Sequence, residues 1–414
     1  MEVAVPFKVT VALLFAAAFL GSAPCCPAAG AATKTLAVDA GNQARSHVPM
    51  SIEAPPGITK ATMTCGGKPV PCQVAEGRLW WVLDELAAGQ TKTYTVEGGD
   101  QATATGGVTL KQTPKTIDIL IAGRPFTAYH FTNPTFVGQQ LRRPYFFPVY
   151  GLGQVTMTRP YPLTDEKIPD NVAKDHPHHT SLWVAYGDVN GVDNWSIGAK
   201  AGWMIHKTFE CVESGPVMGT FRETLDWTTA DKKPVMAEVR TARVYNLPEA
   251  HRMLDLELVF QAKYGQVKFG DTKEGGLCSI RMRPEFRADG KGGTKGKLIN
   301  AEGQTAGDAW GKPATWVDCS GQVGGKTLGF AIFDAPANLR HPTTWHARTY
   351  GLLTANPFGL KAFTKGKQQG DYTLEEGKAT TFRYRIYFHP GDENAANVAA
   401  RYADYANPPK AAWK

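Results

Sequence analysis

The chain has 414 residues, 43% of them hydrophobic, and a formal net charge of +7 with a pI near 8.9. That length accommodates two domains or one large β architecture with a substantial core. The basic excess is mild and scattered, with no cationic stripe interleaved with aromatics, so nucleic acid is not implied as a partner.

Residues 1–32 read as a secretory leader: Lys8, a mostly apolar run over 9–20, then a small-residue tract ending Ala28-Ala29-Gly30-Ala31-Ala32 like an A-x-A cleavage site. The run is short for a bilayer span, and no later segment qualifies as one. Export to the periplasm or beyond is expected. A lipoprotein fits less well, because Ser22-Ala23-Pro24 before Cys25 is a poor lipid-attachment signal. Past the leader, Cys65 and Cys72 flank the turn-rich Gly66-Gly67-Lys68-Pro69-Val70-Pro71 and are expected as disulfide partners in an oxidising compartment. Cys211, Cys278 and Cys319 show no zinc-type spacing and read as buried small hydrophobes.

Over 33–98, apolar and polar residues alternate in short runs at 48–52, 61–65, 79–83 and 91–96, broken by Pro55-Pro56-Gly57 and Ala88-Gly89. This spacing predicts a small β-sandwich module. Residues 99–107, rich in Gly, Ala and Thr, read as a linker. From 108 to 414 the pattern stays β, with strands expected at 117–121, 149–158, 217–225, 237–247, 252–264, 277–286, 314–320, 327–333 and 379–388. In 252–262, Met253, Asp255, Glu257 and Val259 alternate with Leu254, Leu256, Leu258 and Phe260, which predicts a strand with one largely polar face. The best helix candidate is 392–405, ending before Pro408. The expected class is all-β: the small N-terminal sandwich plus a large antiparallel β-sandwich with long loops.

The chemistry concentrates in 175–195. Three of the ten histidines, His176, His178 and His179, fall within four positions behind Asp175 and ahead of Trp183 and Trp195. If Pro177 opens a strand, His176 and His178 project from one face, about 6.6 to 6.8 Å apart. They could then hold a divalent metal (zinc, copper or calcium), hold a substrate oxygen, or share acid and base roles. A later loop carries Arg340, His341, Trp345, His346 and Arg348; if it folds over the first stretch, His346 becomes a third site member, and a metal ligand with His176 and His178. A third patch offers Glu274 as a base and Arg281 with Arg283 as a clamp for substrate oxygens, or as ordinary cross-strand ion-pairing groups. Asp188, Asn190 and Asp193 resemble part of a calcium loop, although Asp193 stands where an EF-hand needs Gly. Neither G-x-S-x-G nor H-E-x-x-H occurs.

Asp175-His176-Pro177-His178-His179, Gly187-Asp188-Val189-Asn190-Gly191, Lys273-Glu274-Gly275, His341-Pro342-Thr343-Thr344-Trp345-His346 and Arg383-Tyr384-Arg385-Ile386-Tyr387 resemble a secreted bacterial family labelled methane oxygenase PmoA, over roughly residues 125–390. The same order of motifs is similar to the galactose-mutarotase-like supersandwich of sugar epimerases and some polysaccharide lyases. That resemblance implies a carbohydrate-active protein (hydrolase, lyase or epimerase) with its cleft on the concave face of the supersandwich. It implies His176, His178, His179, Glu274 and His346 as proton-transfer groups. Arg281, Arg283, Arg348 and Asn190 would contact substrate, and Trp183, Trp195 and Trp345 would stack on sugar rings. Two other classes stay open: a non-catalytic glycan-binding or scaffold protein, and the copper or zinc redox protein that the family label implies. The sequence does not fix the oligomeric state.

Overall fold

The structure, a computed structural model, describes Met1, residues 33–99 and residues 106–414. The expected leader and most of the expected linker lie outside the described residues.

Two sheets build the small unit. One has the strand order Lys410–Trp413, Thr33–Asp39, Thr91–Gly98, Ala61–Cys65, Lys68–Pro69, and the other Arg45–Glu53, Arg78–Leu86, Cys72–Ala75. The period-two alternation sends Leu36, Val38, Val48, Met50, Trp81, Leu83, Tyr94 and Val96 into a shared core. The last strand, expected with the large domain, instead pairs antiparallel with the first, from Leu36 opposite Trp413 to Asp39 opposite Lys410. The expected Cys65–Cys72 disulfide is not formed. Cys65 ends a strand of one sheet while Cys72 opens a strand of the other, where its thiol donates to the Ala61 carbonyl at 3.3 Å.

The large unit is an antiparallel pair of sheets, so the architecture is all-β as expected. Seven strands run in the order Leu352–Ala355, Gly275–Arg281, Leu182–Tyr186, Tyr145–Val149, Arg124–His130, Thr116–Ile121, Val108–Gln112. Eight run Trp203–Glu213, Met218–Thr228, Pro234–Tyr245, Arg252–Gln261, Ala379–Pro390, Lys326–Asp334, Trp316–Val323, Lys297–Asn300. Arg252–Gln261 shows how alternation sorts the layers. Leu254, Leu256, Leu258 and Phe260 enter the core between the sheets, while Asp255 and Glu257 on the other face accept from their cross-strand partners Arg385 (2.6 Å) and Arg383 (2.7 Å).

That other face is not an open cleft along its whole width. Trp80 of the small sandwich, Met253, Phe333, Tyr387 and Val398 form a second core on it, with Tyr402 and Tyr405 of the helix Val398–Ala406 packed alongside. The ion pairs Arg243–Glu76 (2.6 Å) and Arg45–Asp404 (3.0 Å) tie the small sandwich to the sheet and to the helix. The helix is shorter than the 392–405 expected, and helix and sandwich together cover part of this face.

In the seven-stranded sheet, Leu182–Tyr186 and Gly275–Arg281 are buried at every position. Loops carrying Met157, Leu163, Val189 and Trp195 pack into the same core and cover the outer face. The strand expected at 149–158 ends at Val149, because the chain turns through Gly151 and Gly153 (φ 70°) into the 3-10 segment Leu152–Gln154. These loops, rather than a sheet face, carry the histidines.

Candidate functional site

Pro177 does not open a strand. His176, Pro177, His178 and His179 form a β-turn in which His179 N–H donates to the His176 carbonyl at 3.0 Å. Proline at the second turn position supplies the required φ and no donor is lost. The expected shared face of His176 and His178 is therefore overturned. His176 and His179 lie parallel instead, ring centres 4.8 Å apart at 7°, and His178 stands edge-on to both, at 5.7 and 4.5 Å. The column continues outward to Tyr350 (5.4 Å, 10°) and inward to Trp183 (5.5 Å, 21°), with Trp195 beside it. His176 holds φ +45°, a left-handed conformation that a side chain adopts at a cost of about 1–3 kcal/mol.

Buried guanidinium groups hold this turn. Arg159 donates to the carbonyls of Ala173 (3.0 Å), Asp175 (2.9 Å) and His176 (3.0 Å), and to Asp175 Oδ1 at 2.6 Å. Arg281 donates to the same oxygen at 2.8 Å and places Nη1 3.4 Å from His179 Nδ1. Arg143 binds the carbonyls of His178, Trp195 and Ser196. Asp175 Oδ2 is left for His176 Nδ1, 3.2 Å away, and both side chains are about two-fifths exposed.

Burial pushes the Asp175 carboxyl up, but Arg281 and Arg159 outweigh it and hold the group below the usual carboxylate range. Burial, aided by Arg143, lowers His178 to about 3, and burial with its cationic neighbours takes His179 well below its ordinary value. Both are neutral near pH 7. Tyr350 sits at the tip of a hairpin whose strands meet at Trp345 with Ala355 and Arg348 with Leu352. Burial raises its hydroxyl, which keeps its proton, and the guanidinium groups of Arg281 (4.6 Å) and Arg348 (5.5 Å) lie over its ring.

Other expected site residues fall elsewhere. Glu274 is exposed, paired with Lys273, and acts on Tyr350 only through its charge. His346 packs against Trp310 and Phe363, 4% exposed, lowered to about 3 by burial first. It does not join the other rings, and among the described residues no group of three His, Cys, Asp or Glu side chains is placed to hold a metal ion. The set His176, His178 and His346 is thus not assembled, because the turn at Pro177 spends the histidines on stacking. Trp183, Trp195 and Trp345 are 1%, 3% and 0% exposed and so cannot be sugar platforms; Trp183 and Trp195 brace the histidines, and Trp345 donates to the Ala314 carbonyl elsewhere. Arg283 leaves the Arg281 face: the strand ends at Arg281, and Arg283 pairs with Glu285 (2.8 Å) and the Thr156 carbonyl. Asn190 closes a loop, binding the Gln266 carbonyl and the Lys268 N–H.

Asp175 and Tyr350 are not among the expected site residues, although Asp175 precedes His176 and Tyr350 lies two positions beyond Arg348. Arg159 and Arg143 carried no local signal, since their partners are mostly distant backbone carbonyls.

A model of the family described as "Family of unknown function (DUF6807)" matches residues 116–403. No curated protein matches the chain. Among solved structures, a protein in the glycosyl hydrolase family 38 from Enterococcus faecalis is similar at a TM-score of 0.43 and 10% identity, over 92% of this chain and 47% of that one. An alpha-mannosidase from Enterococcus faecalis V583 is similar at 0.43 and 10%, over 92% and 46%. The chain spans about half the length of these structures.

Proposed function

The chain belongs to DUF6807, a family of unknown function, and from that premise we propose that it is an exported enzyme acting on sugars by acid–base chemistry at His176. The observation that carries the acid–base part is the Asp175–His176 pair, half-exposed on a turn held by buried arginines. The sugar as substrate rests on the order of the motifs, which is similar to that of the galactose-mutarotase-like supersandwich.

His176 Nε2 takes a proton from water or from a ring carbon or hydroxyl, while Asp175 holds the imidazole and stabilises the imidazolium that forms. The neutral hydroxyl of Tyr350 stands beside it as the donor to the departing or rearranging oxygen. Arg348, with no carboxylate partner among the described residues, adds positive potential at the mouth. Hydrolysis, elimination and epimerisation all begin with such a transfer.

The test is turnover of a panel of oligo- and polysaccharides by wild type, His176→Ala and Tyr350→Phe. A substrate turned over by wild type should be turned over about 10²–10⁴-fold more slowly by His176→Ala. Retention of rate by that variant would overturn the catalytic role, and sugar binding without turnover in any protein would identify a glycan-binding protein instead. Stoichiometric zinc or copper in wild type, lost from a His176→Ala/His178→Ala variant, would favour the redox alternative.

A further inference from the structure

Two hollows beside the 283–287 segment are lined by none of the residues of the site described above. One, of about 450 Å³, is lined by Asn171, Glu285, Arg287, Lys291, Lys295 and Gln322. The other, of about 670 Å³, is lined by Phe147, Tyr150, Thr156, Glu166 and Arg283 among others. Asn171, Pro284 and Glu285 line both, so the two hollows adjoin and together make a groove. Each volume lies within the roughly 300–1,000 Å³ of ligand sites.

The groove lies near the dyad. Its wall residue Arg287 feels the charge of Asp175, and Arg281 feels that of Arg287. The neighbouring Ala288 N–H donates to the Thr349 carbonyl at 2.9 Å, next to Tyr350. The charges are unevenly matched. Arg283 is satisfied by Glu285 and Arg287 by Asp289, which also attracts Lys291; Lys291 and Lys295 at one end and Glu166 at the other form no direct ion pair among the described residues. The opposite end offers the rings of Phe147 and Tyr150 and the Thr156 hydroxyl.

We propose that this groove binds a stretch of an acidic polysaccharide, its carboxylate or sulfate groups at Lys291 and Lys295 and its sugar faces against Tyr150 and Phe147, and feeds that chain to the Asp175–His176 site. This rests on the sugar-active reading above and adds its substrate class. A neutral glycan would leave the two lysines unmatched, and a nucleic acid would find too few cations for its charge density.

The test is affinity electrophoresis of the full chain through gels containing polygalacturonate, alginate or chondroitin sulfate, with dextran, polyglutamate and single-stranded DNA as controls. Wild type should be retarded by at least one acidic polysaccharide, less so at high salt, and not by dextran. Lys291→Glu/Lys295→Glu, with an unchanged circular dichroism spectrum, should weaken that retardation about 10-fold or more, and Tyr150→Ala should weaken it too. Undiminished retardation of the double lysine variant, or equal retardation by polyglutamate or DNA, would overturn the groove. His176→Ala separates the two readings. If it binds as wild type but is inactive, both stand; if it is fully active while the lysine variant fails to bind, only the groove stands; if turnover depends on His176 and no acidic polysaccharide binds, only the acid–base reading stands.

Discussion

Asp175 is the residue on which the site turns, since it neutralises Arg159 and Arg281 with one oxygen and orients His176 with the other. Asp175→Asn should cost about 1.5–3 kcal/mol in urea unfolding, the range for hydrogen bonds to charged groups, and should slow any His176-dependent turnover as well. An unchanged unfolding midpoint would show that the two arginines do not need it. The depressed histidines make a pH prediction. In the folded chain His178 and His346 resist protonation down to about 3, while the unfolded chain protonates them near 6.5. Their contribution is therefore complete above about pH 6.5 and declines as the pH falls toward 3, by at most about 1.4 kcal/mol per pH unit for each group. Urea midpoints measured at pH 7, 5.5 and 4 should fall, and His346→Gln should flatten that fall by one group's share. At this scale the sequence displayed the histidines, but their roles depended on Arg143, Arg159 and Arg281, which reach them across 35 or fewer positions in two cases and 102 in the third.

Among elements, Gly275–Arg281 and its hydrogen-bonded neighbour Leu352–Ala355 show how closely the sheet behind the site is packed. A Cβ on Gly276 would lie 1.2 Å from Thr354 Oγ1, so the strands meet at this separation only without a side chain there. Gly276→Ala should destabilise by about 1–3 kcal/mol or more, read as a drop in melting temperature, and no drop would mean that the two strands can move apart freely. Alternation made Arg252–Gln261 legible, polar face included. Trp203–Glu213 was missed because it is an edge strand with many exposed positions, which weakens the period-two signal. Pro177 was misjudged for a different reason: a proline fits the start of a strand and the second position of a turn equally well, and the hydrogen bond from His179 decides between them.

For the whole molecule, the notable feature is that the chain's end completes its beginning. Truncation after Asn407 should remove the strand Lys410–Trp413, and hydrogen exchange should quicken in Thr33–Asp39 while Arg252–Gln261 keeps its protection. Equal protection in both proteins would show that the last strand is dispensable. The sequence by itself determined the all-β class, the alternation that separates core from surface, and the clustering of His176, His178 and His179, because these are properties of period and composition read locally. Only the tertiary structure decided how the three histidines stack and which of them stays near Asp175, that the tryptophans are buried, and that His346 belongs to another cluster. Those outcomes depend on partners brought together across the fold, and nothing in a local pattern specifies which distant arginine or carbonyl a side chain will meet.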